Sequence, residues 1–119
     1  MTSKPTSYQR GIAAEAAAKA FLEKAKYTII AERYRNAGGE IDLIASQKNL
    51  LIFVEVKARK SEEDGLYAIT PHQQKRILRA AEGFLAQHPE YSDYDMRFDA
   101  VIIPASGLPS HLEYAFMAA

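Results

Sequence analysis

The chain reads as an α/β fold, a mixed β-sheet with helices packed on it in the order α-β-β-β-α-β-β. Three observations point there. Two stretches space their apolar residues as helices do. Five short runs are β-branched, aromatic or alternating, as strands are. The length, 119 residues, suffices for one core, with 48% hydrophobic and 25% charged residues, the balance of a folded chain. Residues 1–6 read as a loose tail and residues 7–119 as a single domain.

The first helix is expected from about Ser7 to Ala25, with Ser7 or Thr6 as its cap. Its alanines favour helix, and Ile12, Ala16, Ala20 and Leu22 fall near one face. Tyr27 to Tyr34 is β-branched and aromatic and reads as a strand. Gly38-Gly39 breaks the chain. Glu40 to Ala45 alternates, with Ile41 and Leu43 on one face and Glu40, Asp42 and Ile44 on the other. Ser46 to Asn49 is a turn, and Leu50 to Ala58 is a strong strand. Residues 59–69, with six charged side chains or glycines from Arg59 to Gly65, read as an exposed loop.

The second helix starts at Thr70-Pro71-His72-Gln73, a cap residue, a proline at the first helical position and a capping-box glutamine. Ile77, Ala81, Phe84 and Leu85 form its apolar stripe, and it stops near His88-Pro89. Met96 to Ile103 is a strand ended by Pro104, and His111 to Met117 a peripheral one.

There is no cysteine, which excludes disulfide scaffolds, zinc ribbons, iron–sulfur sites and thiol nucleophiles. It fits a reducing, cytoplasmic setting. No apolar run approaches bilayer length and the N-terminus carries no apolar signal core, so neither a membrane partner nor secretion is expected. Net charge is zero, but residues 1–60 hold 11 basic and 6 acidic side chains while residues 61–119 hold 4 and 9. The fold could thus carry a basic and an acidic face, against the plainer reading of scattered solvated charge.

Two neighbouring strands each carry a carboxylate where apolar residues would pack. With the turn centred between Lys48 and Asn49, Asp42 lies opposite Glu55, and Glu40 opposite Lys57. Asp42, Glu55 and Lys57 then share a face. Facing like charges destabilise a hairpin, and a divalent cation offsets that repulsion. With no thiol, a hard ion such as Mg²⁺ or Mn²⁺ fits oxygen ligands. A lysine beside such an ion suits phosphodiester hydrolysis. The competing reading is a cross-strand salt bridge of Glu55 or Glu40 with Lys57.

Gly39-Glu40-Ile41-Asp42-Leu43-Ile44 followed by Phe53-Val54-Glu55-Val56-Lys57-Ala58-Arg59 resembles the YraN-like family of small bacterial proteins. That family is similar to the PD-(D/E)XK nuclease superfamily, especially archaeal-type Holliday-junction resolvases. Arg10-Gly11 with Glu15, Gln74 with Arg76, Arg97-Phe98-Asp99 and Ala115-Phe116 extend the resemblance along nearly the whole chain. It departs at Ala14, where the pattern has glycine, at Arg33, where it has asparagine, and at Gln73, where it has lysine. The loop around Gly65 is shorter than usual.

The resemblance implies a restriction-endonuclease-like, mixed five-stranded β-sheet flanked by helices. It implies Asp42 and Glu55 as metal ligands with the Val56 carbonyl, Lys57 as the catalytic lysine, Glu15 as an accessory carboxylate, and Mg²⁺ or Mn²⁺ as the cofactor. Read from the residues alone, Glu15 borders the apolar stripe and needs a partner, or pairs with Lys19 four residues on. His72, Arg76 and Arg79 form a basic helical stripe with Gln74 near its start, and Arg35, Arg59 and Lys60 flank the site. These are the expected nucleic-acid contacts, solvated surface being the alternative. His88 and His111 read as incidental, and Tyr34 and Tyr67 as core or rim packing, with base stacking the alternative.

The first functional reading is a metal-dependent endonuclease acting on DNA, branched or structured DNA included, for which a homodimer would let two sites meet two strands. The second is a catalytically weak nucleic-acid-binding module with the same fold. The third is a non-catalytic adaptor domain.

Overall fold

The computed structural model describes residue 4 and residues 6–116. Most of the expected tail (residues 1–3 and 5) and the end of the expected last strand (residue 117) lie outside the described residues. The element order is α1 (Ser7–Lys24), β1 (Thr28–Asn36), β2 (Gly39–Gln47), β3 (Leu50–Ala58), α2 (Glu62–Ala68), α3 (Pro71–Gln87), a 3₁₀ turn (Pro89–Tyr91), β4 (Asp95–Ile103) and β5 (Ser110–Leu112). The five strands form one sheet in the order β1-β2-β3-β4-β5. Only β3 and β4 run parallel, and α2 and α3 form the crossover between them. This is the mixed α/β sheet with flanking helices that the sequence implied, with one more helix.

That helix, α2, corrects the expected loop. Ser61 caps it by accepting from the Asp64 N–H (3.1 Å), and Glu62, Glu63 and Asp64 sit in its first turn, where the helix dipole favours negative charge. Gly65 is buried in this helix, and a Cβ at this position would collide with the Ile102 side chain. The glycine lets α2 lie against β4.

The two faces of the sheet bury separate clusters. On one, Ile77, Ala80, Ala81 and Phe84 of α3 pack on Ile44, Leu51, Phe53, Ala100 and Ile102. On the other, Ala14, Ala18 and Leu22 of α1 pack on Leu43, Ala45, Ile52, Val54 and Val101. The stripe of α1 is therefore rotated from the one expected, and Ile12 is exposed. In an alanine-rich helix no face is strongly apolar, and the small Ala14 and Ala18 allow the closest approach to the sheet. Thr6 caps α1 in a reciprocal box with Gln9, so it belongs to the helix start and not to a tail. Thr70 caps α3 through the Gln73 N–H (3.1 Å), without the return bond that Gln9 makes in α1. Helix α3 also rests on the β1–β2 turn, where a Cβ on Gly38 would meet the Arg79 backbone carbon at 2.8 Å.

The expected terminal strand shrinks to β5, three residues long. Beyond it Tyr114 has a φ of +56°, which breaks extension, and Phe116 turns back into the core. Among the described residues no helix is long and apolar enough to cross a membrane.

Candidate active site

Register puts Asp42 and Glu55 together. The β2–β3 ladder runs Gln47↔Leu50, Ser46↔Leu51, Ala45↔Ile52, Ile44↔Phe53 and Leu43↔Val54, the pairing expected from the turn. There the ladder stops, and one step further the Asp42 side chain comes within hydrogen-bond reach of Glu55. The Val56 N–H, released from strand pairing, donates to Asp42 Oδ2 at 2.8 Å.

The expected alternation of β2 also breaks here. Leu43 enters the α1-side cluster, whereas Ile41, two residues earlier, enters the α3-side cluster with Ile44. Ile41 and Leu43 thus do not share a face. The cause is visible on the neighbouring strand. The β1–β2 register steps Glu32↔Leu43 and then Tyr34↔Ile41, passing over Arg33, whose φ is +51°. The unpaired Arg33 and Asp42 lie between the edge strand β1 and β2, and strand irregularities at sheet edges re-aim side chains.

Glu55 is 4% exposed. Burial pushes its carboxyl up to about 10, helped by a hydrogen bond with Asp42 and the repulsion of that carboxylate, while Lys57 and the Val56 amide pull the other way. Burial and the neighbouring Asp42 thus favour the protonated form of Glu55. A divalent cation with oxygen preference substitutes for such a proton, so the donor set fits a hard ion. Lys57 is half-buried, and among the described residues it makes no ion pair within 4.0 Å. The alternative of a Glu40 or Glu55 salt bridge to Lys57 is absent in this geometry, since Glu40 pairs with Arg35 (3.1 Å).

Glu15 is reached by neither Lys19 nor the other two carboxylates. Arg33 Nε donates to its Oε1 at 2.9 Å, and the same guanidinium lies 5.4 Å from the Tyr8 ring centroid. Lys19 pairs instead with Glu32 (3.1 Å). Among the described residues no three acidic or histidine side chains gather into a metal-binding group. The candidate ligand set is therefore two carboxylates and the Val56 backbone, with Glu15 beside Val56 and Lys57 in the lining of an adjoining cavity of about 330 Å³.

The expected nucleic-acid residues fall in two places. Arg59 and Lys60 are exposed at the end of β3, and Arg59 Nη1 donates to the Ala58 carbonyl at 2.8 Å. Arg76 and Arg79 are exposed on α3, with His72 and Arg76 lining a cavity of about 300 Å³ beside Glu40. Gln74 turns inward, its amide donating to the Ile69 carbonyl at 3.0 Å. Tyr34 packs edge-on against Phe84, as expected, but Tyr67 is 89% exposed on α2.

One cluster was missed by reading the sequence. Asp99, fully buried, accepts both Nε and Nη2 of Arg97 at 2.8 Å, the His111 ring nitrogen at 2.7 Å and the Tyr114 N–H at 3.2 Å. Arg97 also bonds the Tyr27 hydroxyl (3.1 Å) and pairs with Glu113 (3.2 Å). Burial alone would raise Asp99, but the hydrogen bonds from His111 and Arg97 overcome it and hold the carboxyl below its ordinary 3.8. His111 is therefore a structural partner that ties β5 to β4. His88, by contrast, stacks on Phe84 at 4.3 Å. Arg97 and Asp99, two residues apart within an apolar strand, were the available signal, because a buried carboxylate needs partners.

Fold and site together define a small α/β protein of the restriction-endonuclease-like class, with a carboxylate pair and a lysine at a break in the central sheet. The model of the Uncharacterised protein family UPF0102 matches residues 14–103. A UPF0102 protein of Bradyrhizobium diazoefficiens is 50% identical over 110 residues, covering 92% of this chain and 83% of the relative. One from Rhodopseudomonas palustris is 52% identical over 110 residues, covering 92% and 82%. The chain belongs to the UPF0102 family, the bacterial family that the GEIDLI and FVEVKAR segments resemble.

Proposed function

We propose that this chain is a Mg²⁺- or Mn²⁺-dependent endonuclease acting on DNA. The observation that carries the reading is the break in pairing at Asp42, which sets its half-buried carboxylate against buried Glu55, with Lys57 two residues beyond Glu55 and free of a salt bridge among the described residues. Such a pair is costly to keep for stability alone. Asp42, Glu55 and the Val56 carbonyl would hold the ion, which when bound polarises a phosphoryl oxygen and lowers the pKa of its water. Lys57 would stabilise charge on the phosphoryl oxygens or orient the attacking water. Glu15, held by Arg33, would border the site as an accessory carboxylate. Arg59, Lys60, Arg76 and Arg79 would contact phosphates. Arg35, paired with Glu40, and Gln74, bonded to the backbone, are weaker candidates for that role. The test is cleavage of linear, nicked, flap and four-way DNA with each ion. Binding without cleavage would favour the catalytically weak module, and neither binding nor cleavage the adaptor domain.

A further inference from the structure

Two cavities share Arg10, Ala14, Ala58 and Arg59, and Lys57 lines one of them. They form one cleft between α1 and the C-terminal ends of β3 and β4. The nearer chamber, about 330 Å³, carries Glu15, Val56 and Lys57. The farther one, about 500 Å³, is lined by the apolar Ala13, Ile103, Pro104 and Ala105 together with Arg10, Arg59 and Lys60. Among the described residues no carboxylate lines this second chamber. Its size lies in the range of small-molecule sites, roughly 300–1,000 Å³.

An apolar lining beside cationic side chains suits a base carried on an anionic backbone. A base in a duplex is covered on both faces by its neighbours, so it reaches such a pocket only when unpaired. From this cleft we infer that the farther chamber is a subsite for one unpaired nucleotide next to the scissile phosphate. The substrate class is then DNA with a strand end, a flap or a branch point, and not continuous duplex. The inference rests on the nuclease reading for the position of the scissile phosphate at Lys57. Arg59 and Lys60 take the flanking phosphates, and the alanines leave room for the base.

The test measures binding, with Ca²⁺ replacing the active ion. A duplex carrying a single unpaired 2-aminopurine is titrated against the same duplex made blunt, and against the free deoxynucleoside monophosphate. The unpaired nucleotide is expected to bind roughly tenfold tighter than the blunt end, the scale of burying one base face against apolar side chains. Ala13→Leu fills the chamber from an exposed helix position that favours leucine nearly as well as alanine. It should remove the preference and leave blunt-duplex binding intact, and Ala105→Leu should do the same from the opposite wall. Equal binding of both duplexes, a preference untouched by both variants, or tighter binding of the free nucleotide would overturn the subsite. A wild-type dimer that Ala13→Leu dissociates would overturn it too, because the occupant would be a second copy. A preference for the unpaired nucleotide without cleavage would refute the nuclease and leave the subsite standing. Cleavage without the preference would do the reverse.

Discussion

Asp42 Oδ2 accepts the Val56 N–H at 2.8 Å, where the backbone carbonyl of a paired strand would otherwise be expected to do so. The side chain thus replaces a ladder bond and opens the sheet beside buried Glu55. That one substitution of a carboxylate for a backbone acceptor links the fold to its proposed chemistry.

Metal should stabilise the protein. A cation that binds the folded chain and not the unfolded one adds about 2.7 kcal/mol at a hundredfold excess over Kd. Thermal melts with Mg²⁺ or Mn²⁺ should shift upward for the wild type, and Asp42→Asn should lose most of the shift. Melting indifferent to both ions at millimolar concentration would argue against the site.

Without metal, Glu55 has a raised pKa, so its folded state holds a proton that the unfolded chain releases above about 4.5. The stability it contributes is fully present below that value and falls as pH rises towards about 10. The slope is at most about 1.4 kcal/mol per pH unit. Glu55→Gln keeps a neutral hydrogen-bonding side chain, so urea melts between pH 5 and 8 should be flatter for the variant. Parallel curves would show that Glu55 is ionised in the folded protein.

Asp99 has the opposite sign. Its carboxyl is held low, so its contribution is present above 3.8 and lost as pH falls through the lower folded value. Asp99→Asn should cost about 3–5 kcal/mol at neutral pH, because Arg97 stays buried beside a neutral side chain. Denaturant melts would measure this, with a flatter acid limb in the variant. A loss under about 1 kcal/mol would mean that Glu113 and Tyr27 suffice for Arg97.

The basic surface should set the salt dependence of DNA binding. Each phosphate contact contributes roughly −0.9 to the slope of log K against log salt. Arg59→Gln with Arg76→Gln should weaken binding to all sequences alike and flatten the slope by up to about 2 units, read by anisotropy in Ca²⁺. Unchanged slopes would mark both arginines as solvated surface.

The first four strands, the two long helices and the turn that brings Asp42 to Glu55 were legible because period and turn position determine them. Other features were not. Helix α2 has few apolar residues and a glycine, and its reason, the Ile102 side chain beneath Gly65, lies in a distant strand. The facial break at Asp42 lies beside Arg33, whose positive φ nothing local to β2 announces. The partner of Glu15 came from a neighbouring strand, 18 residues away, and not from the next helical turn. Short-range patterns describe elements, whereas side-chain pairing across elements needs the packed geometry.

Lys57 carries the most direct test of the nuclease reading. As an ammonium it cannot ligate a cation, yet it follows Glu55 on the same strand. The measurement is the cleavage rate of Lys57→Ala against wild type on flap and four-way DNA with Mg²⁺ or Mn²⁺, alongside metal-dependent melting of both proteins. The account predicts that the variant loses cleavage by roughly a hundredfold or more, the scale of one electrostatic donor, while keeping the metal-induced rise in melting temperature. Cleavage by the variant at the wild-type rate would contradict it.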